Sequence, residues 1–296
     1  MDIIRISKDY EIIGYTYIKN KQPVVHSDTL AYIKNLHIPP AWKDVHICTD
    51  PDSKIQAYGY DSKGRKQVLY AKWFSQQNKT DKYNNIIRLE PIIEEIKKNI
   101  QTTLATYISK SSKTQLTNEI QIALILHIMM ICNFRIGNTS DTKSKEKAYG
   151  LTTLQWKHVH FKDKTTYFEF VGKKGVINKA VCNDPYIYSI LHRMKNVYNK
   201  ITRVSGATGV KINTIFSVNS SQVNAYLHTY DPYITSKDIR TWMANELYIK
   251  YFFENKEGES KFEKRQRNAL AHVAENLHNT PAVCKTSYIL PDLLEI

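Results

Sequence analysis

Residues 118–134 constrain the fold more than any other part of the sequence. Between residues 122 and 130 every side chain is apolar except His127, and the run continues to Cys132. A membrane span needs about 20 apolar residues, so this run is too short to cross a bilayer. It therefore predicts a helix that is apolar on all its faces and buried inside a domain.

The first 80 residues have a different pattern, in which short strand-like runs alternate with turns. The runs cover residues 11–17, 45–48, 55–60 and 67–70, and turn sequences such as Asp50-Pro51-Asp52-Ser53 separate them. These spacings predict a meander of antiparallel strands. Residues 75–85 are polar and have few apolar anchors, which predicts an interdomain linker.

Beyond the linker, the periodicity becomes helical. Apolar residues recur at intervals of three and four in the segments 86–96, 239–247 and 270–277. Between these segments, residues 166–171 and 176–181 are strand-like and are joined by Gly172-Lys173-Lys174-Gly175, which predicts a hairpin. The sequence thus predicts an α+β protein with a small β-rich domain at residues 1–78 and a mainly helical domain at residues 79–296.

The charge of the chain indicates a polyanionic partner. The chain has 42 Lys+Arg and 28 Asp+Glu, a formal net charge of +14. The excess is +4 in residues 1–82 and +10 in residues 83–296, so both parts are basic. This distribution favours a folded nucleic-acid-binding surface over a single basic tail, although a basic protein can also be merely soluble.

Export, a disulfide framework and a structural zinc site are not indicated. The N-terminal sequence MDIIRISKDYE has acidic residues where a secretory signal has an apolar core. The four cysteines are dozens of residues apart, without a CxxC pair or a histidine at ligand spacing; they are Cys48, Cys132, Cys182 and Cys284. We therefore expect reduced thiols in an intracellular protein without a membrane partner.

Proteins that act chemically on nucleic acid often use a metal held by carboxylates or a covalent side-chain nucleophile. Two close pairs of acidic residues are candidates, and neither indicates a metal cofactor. Asp50 and Asp52 are better explained as turn residues, and Glu94 and Glu95 as the solvated face of a helix. The covalent alternative requires an oxygen nucleophile and cations around a phosphate.

Three basic residues could supply these cations, although each alone is more often a surface charge. Arg135 directly follows the apolar segment, so a rigid element would fix its position. Arg240 lies near a predicted helix start, with Ser236 as a candidate N-cap. Lys173 lies at the tip of the predicted hairpin.

The C-terminal segment makes this combination specific. Residues 274–288 read AENLHNTPAVCKTSY, which predicts a helix, a turn and a tyrosine on a short continuation. With Arg135, the GKKG hairpin and the KDIR sequence that ends at Arg240, this segment resembles the active-site motifs of type IB DNA topoisomerases, especially the small poxviral, giant-virus and bacterial enzymes. The runs LHIPPAW at 36–42 and QAYGYDSKGR at 56–65 resemble the β-rich clamp domain of that family.

The resemblance implies a chemical role for each matching residue. Tyr288 would be the nucleophile that forms a 3′-phosphotyrosine. Arg135 and Arg240 would contact the scissile phosphate, Lys173 would protonate the leaving 5′ oxygen, and Lys237 would support the phosphate site. The helical domain would then have the fold shared by type IB topoisomerases and tyrosine recombinases.

Asn279 stands nine residues before Tyr288, where poxviral enzymes have a histidine and bacterial members often have an asparagine. An amide can donate a hydrogen bond to a phosphate oxygen but cannot take up a proton. The resemblance and this chemistry together predict an electrostatic role for Asn279 rather than a general-base role.

The resemblance also implies DNA-binding residues outside the catalytic set, namely Lys63, Arg65 and Tyr70. Lys174 is a further predicted DNA-binding residue, at a position that is often acidic in poxviral relatives. Val68 departs from the poxviral pattern, which has a tyrosine three residues after the arginine that matches Arg65. Because poxviral enzymes prefer a short pyrimidine-rich cleavage site, this departure leaves the same preference open here.

The implied activity is relaxation of supercoiled duplex DNA by transient cleavage and religation of one strand, without ATP, metal or another cofactor. The implied form is a monomer that clamps the duplex between two basic domains. The implied location is a viral factory or virion for a viral protein, and the cytoplasm or nucleoid for a bacterial one.

Two other functions fit part of the pattern. A tyrosine recombinase also has a Lys-x-x-Arg sequence and a terminal tyrosine, but its N-terminal domain would be a helical bundle, which the β-rich start does not match. A non-catalytic duplex-binding protein would share the charge, but it would have Arg135, Lys173, Arg240 and Tyr288 only by coincidence.

Overall fold

The protein has an α+β fold, as the sequence predicts. The structure is a computed structural model that describes residues 2–6, 9–13, 22–110, 116–143, 147–204, 214–254 and 262–295. The chain forms two compact units, Met1–Asn85 and Ile86–Ile296. Within the described ranges, no helix is long and apolar enough to cross a membrane.

The first unit is built on an antiparallel sheet, which in the described residues has six strands in the order β3-β2-β1-β4-β5-β6. The strands are β1 (Asp2–Ile6), β2 (Asp9–Ile13), β3 (Gln22–Pro23), β4 (Lys43–Cys48), β5 (Ile55–Tyr60) and β6 (Lys66–Tyr70). Helix α1 (Ser27–Asn35) lies between β3 and β4, and α2 (Lys72–Arg88) follows β6.

One face of this sheet forms the core of the first unit, and the other carries aromatic and basic side chains. The buried residues of the core include Ile3, Ile33, Val45, Ile47 and Ala57. Because successive strand residues point to opposite faces, His46 of β4 lies on the other face, where it stacks on Tyr58 of β5 at 4.7 Å between ring centroids. Lys66 Nζ lies 4.3 Å from the centroid of the same tyrosine ring.

Most of the strands predicted in this unit are confirmed. Strands β4, β5 and β6 cover the predicted runs, and the backbone N–H of Asp52 donates to Asp50 Oδ1 (2.9 Å), which confirms the turn. The run predicted at 11–17 is a strand as far as Ile13, and its remainder lies outside the described residues. Strand β1 was not predicted, although it pairs with both β2 and β4.

The segment predicted to be an interdomain linker, 75–85, is helical, since it lies within α2. Its polar side chains are largely exposed, while Tyr83 and the following Ile86 are buried and anchor the helix. The boundary between the two compact units falls inside this helix.

The second unit combines helices with a small antiparallel sheet in the order β7-β8-β9. Its described elements are α3 (Glu90–Ser109), α4 (Asn118–Cys132), α5 (Thr139–Thr142), β7 (Val159–Lys162), β8 (Thr165–Val171), β9 (Ile177–Cys182), α6 (Pro185–Val204), α7 (Ser220–Leu227), α8 (Ser236–Glu254), α9 (Phe262–Asn276), α10 (Pro281–Ser287) and α11 (Asp292–Glu295). Strands β8 and β9 are the predicted hairpin, and β7 adds a strand that was not predicted.

Helix α4 is the buried helix that the apolar segment predicts. Residues 121–130 are all buried, and the helix packs against α3, α6 and α8. Thr117 Oγ1 accepts a hydrogen bond from the N–H of Ile120 at its start. At its end, Asn133 has φ 53°, the left-handed conformation that terminates a helix. The chain then turns sharply, so the rigid core fixes the start of the segment that contains Arg135.

A second apolar cluster holds the C-terminal segment. Helices α8, α9 and α10 contribute to it, and its buried members include Tyr248, Val273, Cys284, Tyr288 and Ile289. The tyrosine at the end of α10 is therefore packed beside α8, which carries Arg240.

Candidate active site

Arg240 is a buried arginine, 4% exposed, and each of its three guanidinium nitrogens donates one hydrogen bond. Its Nε donates to the carbonyl of Asn133 (2.9 Å), its Nη2 donates to the carbonyl of Leu277, and its Nη1 donates to Tyr288 Oη (2.7 Å). Burial lowers the pKa of Arg240 to about 10, so the side chain is still a cation at neutral pH.

The start of α8 differs in detail from the prediction. Ser236, the predicted N-cap, is the first residue of the helix, and Thr235 occupies the position before it. The N–H and Oγ1–H of Thr235 both donate to Asp238 Oδ2, at 3.0 and 2.6 Å. The prediction placed the cap one residue too late because Thr and Ser are both good capping residues.

Tyr288 ends α10 in the arrangement that the sequence predicts. Thr280 Oγ1 accepts from the N–H of Val283 at the start of the helix, and Pro281 occupies its first position. The Tyr288 ring is 9% exposed, and the Arg240 guanidinium carbon lies 5.1 Å from its centroid. The buried Arg240 guanidinium thus contacts both the ring and the phenol oxygen of Tyr288.

Cys284 lies one helical turn before Tyr288 and also faces the arginines. Burial raises the pKa of its thiol to about 11, against the opposing effect of Arg240 and Arg135. The sulfur is therefore a protonated thiol at neutral pH, and the thiolate that would act as a nucleophile is scarce there.

Arg135 follows α4 on a loop held by main-chain contacts. The N–H of Leu151 donates to the carbonyl of Arg135 (3.0 Å), and Gly137 has φ 84°. The backbones of Gly137 and Gly150 touch, because a Cβ on Gly150 would lie 2.5 Å from Gly137 Cα. Only glycine fits at this crossing, and the crossing fixes the direction of the loop.

Asn279 is joined to Arg135 directly. Arg135 Nη2 donates to Asn279 Oδ1 (2.6 Å), which leaves the amide nitrogen of Asn279 facing elsewhere. That nitrogen is buried and has no hydrogen-bond partner among the described residues. A buried unpaired donor costs free energy, and Asn279 is not among the residues that line the cleft beside Arg135.

An open cleft of about 520 Å³ brings most of the candidate catalytic residues together. Its lining includes Arg135, Lys173, Lys237, Arg240 and Tyr288. Lys173 and Lys237 are exposed, whereas Arg240 and Tyr288 form the buried wall. The phenol of Tyr288 and four basic side chains therefore border a single space, which Tyr149 also lines.

The hairpin separates its two lysines. Lys173 lines the cleft, while Lys174 is exposed, has φ 62° and is not among the cleft residues. The turn is closed by the N–H of Gly172, which donates to the carbonyl of Val176 (2.7 Å).

The remaining predicted DNA-binding residues belong to the first unit. Arg65 is exposed and donates from Nε to Asp61 Oδ2 (2.8 Å), and this hydrogen bond is the largest cause that lowers the pKa of Asp61 to about 2. Lys63 is exposed in the same turn, and Tyr70 at the end of β6 is 43% exposed. The structure thus leaves these three side chains accessible.

Several residues of the site were not identified from the sequence. Asp141 and Tyr149 line the cleft, and the carbonyls of Asn133 and Leu277 hold Arg240. Every residue has a carbonyl, so no sequence signal marks the two that matter. The sequence predicts the positive φ of Asn133 only weakly, because asparagine is one of the residues found in this conformation at helix ends.

Two family models match the chain. The model of the eukaryotic DNA topoisomerase I catalytic core matches residues 71–290, well over half of the chain, and that of the bacterial DNA topoisomerase IB N-terminal domain matches residues 14–61. The chain belongs to the type IB DNA topoisomerase family. Its members are isomerases that act on DNA, and the chain is accordingly a DNA-binding enzyme.

Curated topoisomerases of viruses are similar over nearly the full chain. DNA topoisomerase 1B of Acanthamoeba polyphaga mimivirus is 30% identical over 290 residues, which cover 95% of this chain and 83% of the relative. DNA topoisomerase 1 of rabbit fibroma virus is 23% identical, and DNA topoisomerase 1B of vaccinia virus (strain Copenhagen) is 22% identical; each alignment covers 92% of this chain and 83% of the relative. Membership in this family favours the topoisomerase hypothesis over the recombinase hypothesis.

Proposed function

We propose that this topoisomerase relaxes supercoiled duplex DNA by a transesterification in which Tyr288 is the nucleophile. The observation that carries the proposal is the hydrogen bond of 2.7 Å from the buried Arg240 guanidinium to Tyr288 Oη, at the wall of a cleft with three further basic residues. A phenol in contact with a fixed cation, beside a space lined by cations, is an arrangement suited to attack on a phosphate.

Activation of the phenol follows from this charge. A tyrosine has an unperturbed pKa near 10, so it is largely protonated at neutral pH. A cation at hydrogen-bond distance favours the phenolate as the proton leaves, which strengthens the nucleophile in the transition state. Arg240 supplies that cation without needing a metal ion.

The phosphate would be held by Arg135, Arg240 and Asn279. Attack on phosphorus concentrates negative charge on the non-bridging oxygens, and guanidinium groups donate paired hydrogen bonds to such oxygens. The unpartnered amide nitrogen of Asn279 adds a donor next to Arg135. Asn279 therefore acts through electrostatics, and Lys237 supports the same charge from the cleft wall.

Lys173 is the proposed general acid. When Tyr288 Oη forms its bond to phosphorus, it releases its proton to solvent, the bond from phosphorus to the 5′ oxygen breaks, and a proton from Lys173 neutralises that oxygen. The product is a 3′-phosphotyrosine ester that keeps the free energy of the phosphodiester. Religation reverses the same step, so neither ATP nor a metal cofactor is required.

The partner is proposed to be double-stranded DNA, bound by a monomer. Residues 1–78 form the clamp domain and residues 79–296 form the catalytic domain in this proposal. Lys63, Arg65, Tyr70 and Lys174 are the proposed DNA contacts outside the catalytic set. The enzyme would act wherever its DNA resides, either inside a cell or in a viral factory or virion.

The test is relaxation of a supercoiled plasmid with EDTA present and ATP absent. We expect the wild type to relax the plasmid, Tyr288→Phe to bind DNA without relaxing it, and the control Tyr167→Phe to retain activity. Tyr167 is a partly exposed tyrosine on β8 that does not line the cleft. Relaxation by Tyr288→Phe, or a strict metal requirement, would contradict the proposed mechanism.

A further inference from the structure

Asn245 is a buried polar residue that the proposed mechanism leaves unused. It lies on α8, is 4% exposed, and uses both ends of its amide. Its Nδ2 donates to the carbonyls of Thr241 (2.8 Å) and Tyr288 (2.9 Å), and its Oδ1 accepts from the N–H of Leu290 (2.8 Å). The side chain thus bonds the main chain at the nucleophile and two residues beyond it.

The main chain at residues 288–290 lies beyond α10, so helical hydrogen bonds do not satisfy all of its polar groups. Tyr288 follows the last residue of α10 and has φ −125° and ψ −42°, outside helical geometry. Its N–H and that of Ile289 both donate to the carbonyl of Cys284. The carbonyl of Tyr288 and the N–H of Leu290 are left, and Asn245 satisfies both of them.

The two contacts of Tyr288 come from one helix. Arg240 reaches the phenol oxygen, and Asn245, five residues later on α8, reaches the carbonyl of the same tyrosine. A rigid helix therefore holds the nucleophile at its reactive end and at its main chain. The nucleophile is on a short helix followed by a tail, so the second contact limits its movement relative to Arg240.

We infer that Asn245 is a positioning residue for the nucleophile, which fixes the main chain of Tyr288 during both cleavage and religation. The inference rests on the proposed role of Tyr288. Since the same tyrosine oxygen reacts in both directions, loss of this contact slows both steps and leaves the ratio of cleaved to intact DNA nearly unchanged.

The experiment uses single-turnover cleavage and religation at saturating DNA, on a duplex that contains a mapped cleavage site. Asn245→Leu keeps the side-chain volume but removes all three hydrogen bonds. Misplacement of reacting groups by about 1 Å can cost about 100-fold in rate, so we expect both rate constants to fall by about 10- to 100-fold. DNA affinity should not change.

A matched control separates positioning from general stability. Gln121 is also a buried amide in the same unit, and it exchanges three hydrogen bonds with Ser217, outside the site. Gln121→Met should lower the melting temperature but leave the rate per active molecule unchanged. The reaction amplitude, with DNA in excess, counts the active molecules in each preparation.

The substitution Asn245→Asp separates the effect of the contact with Leu290 from that of the contact with Tyr288. At a pH where the aspartate is ionised, it keeps an acceptor for the N–H of Leu290 but loses the donors to the carbonyls of Tyr288 and Thr241, so we expect its rates there to be as low as those of Asn245→Leu. If Asn245→Leu does not fold, Asn245→Asp still tests whether Asn245 positions the nucleophile.

Three results would overturn the inference: a wild-type rate for Asn245→Asp, a loss in Asn245→Leu that is confined to amplitude, or equal slowing in Gln121→Met. The proposed function fails separately if Tyr288→Phe still cleaves DNA.

Discussion

The Arg240 guanidinium has three hydrogen-bond partners, and only one of them is a proposed reacting group. Two main-chain carbonyls hold its Nε and Nη2, which leaves Nη1 for Tyr288. Lysine could not replace it, because an ammonium group lacks the planar fork that spans these acceptors. The buried cation is therefore fixed before DNA binds, and reorganisation at the moment of reaction is small.

At the residue scale, motifs identified the side chains but not their neighbours. Arg135, Arg240, Lys173 and Tyr288 were named from the sequence, and the structure places all four at one cleft. The bond from Arg135 to Asn279 and the free donor of Asn279 depend on tertiary distances between residues 144 apart. Sequence spacing contains no information about such distances.

The separation of the two hairpin lysines yields a prediction. Lys173→Ala should slow cleavage by about 100- to 10,000-fold, the usual contribution of a general acid. A substrate with a 5′-thiol leaving group needs no acid, so it should restore the rate of this variant. Cleavage rates on the two substrates provide the measurement.

The matched control for this prediction is Lys174→Ala, since Lys174 is the adjacent lysine outside the cleft. At saturating DNA, where the loss of a proposed DNA contact does not limit the rate, we expect it to cleave the ordinary substrate at nearly the wild-type rate. Failure of the thiol substrate to rescue Lys173→Ala, or equal loss in both variants, would remove Lys173 from the role of acid.

At the element scale, helix α4 was predictable because its burial is encoded in composition. Residues 122–130 could be placed only in a core, and the helix ends within two residues of the predicted limit. The loop that follows was not predictable. Its direction depends on the contact between Gly137 and Gly150, and a glycine in sequence does not reveal which backbone it touches.

This crossing gives a prediction at the element scale. Gly150→Ala should destabilise the protein by about 1 to 3 kcal/mol, because its methyl group would overlap Gly137 and the carbonyl of Arg135. The same displacement should move Arg135 and slow cleavage at saturating DNA. Thermal unfolding and single-turnover cleavage measure the two effects, and an unchanged value of both would contradict the described contact.

The linker shows where composition was misleading. Residues 75–85 are polar enough to look unstructured, but they are helical, and Tyr83 and the following Ile86 are buried. A mostly exposed helix needs only a narrow apolar stripe, and such a stripe is hard to separate from chance in a short polar segment.

At the scale of the whole molecule, the charge excess is far larger than the active site requires. Of the 42 Lys and Arg residues, four have proposed roles in the chemistry, namely Arg135, Lys173, Lys237 and Arg240. Exposed residues among the others can bind backbone phosphates without regard to sequence. The net charge therefore indicated a polyanionic partner, whereas the active-site motifs were needed to infer the reaction.

The salt dependence of DNA affinity tests this division. The logarithm of the binding constant should fall linearly with the logarithm of salt concentration, with a slope of about −0.9 for each phosphate contacted. Arg65→Ala should reduce the magnitude of that slope by about one unit. Equilibrium binding over a salt series measures it, and a slope that is near zero in the wild type would contradict phosphate-dominated binding.

The most direct measurement of the central claim is the chemical identity of the covalent intermediate. The enzyme is mixed with supercoiled plasmid, denatured rapidly with detergent, and digested with nuclease and protease before mass spectrometry of the modified peptide. The account predicts a nucleotide joined through its 3′ phosphate to Tyr288, and DNA ends with free 5′ hydroxyl groups. An adduct on another residue, a link to a 5′ phosphate, or active relaxation without any adduct would contradict it.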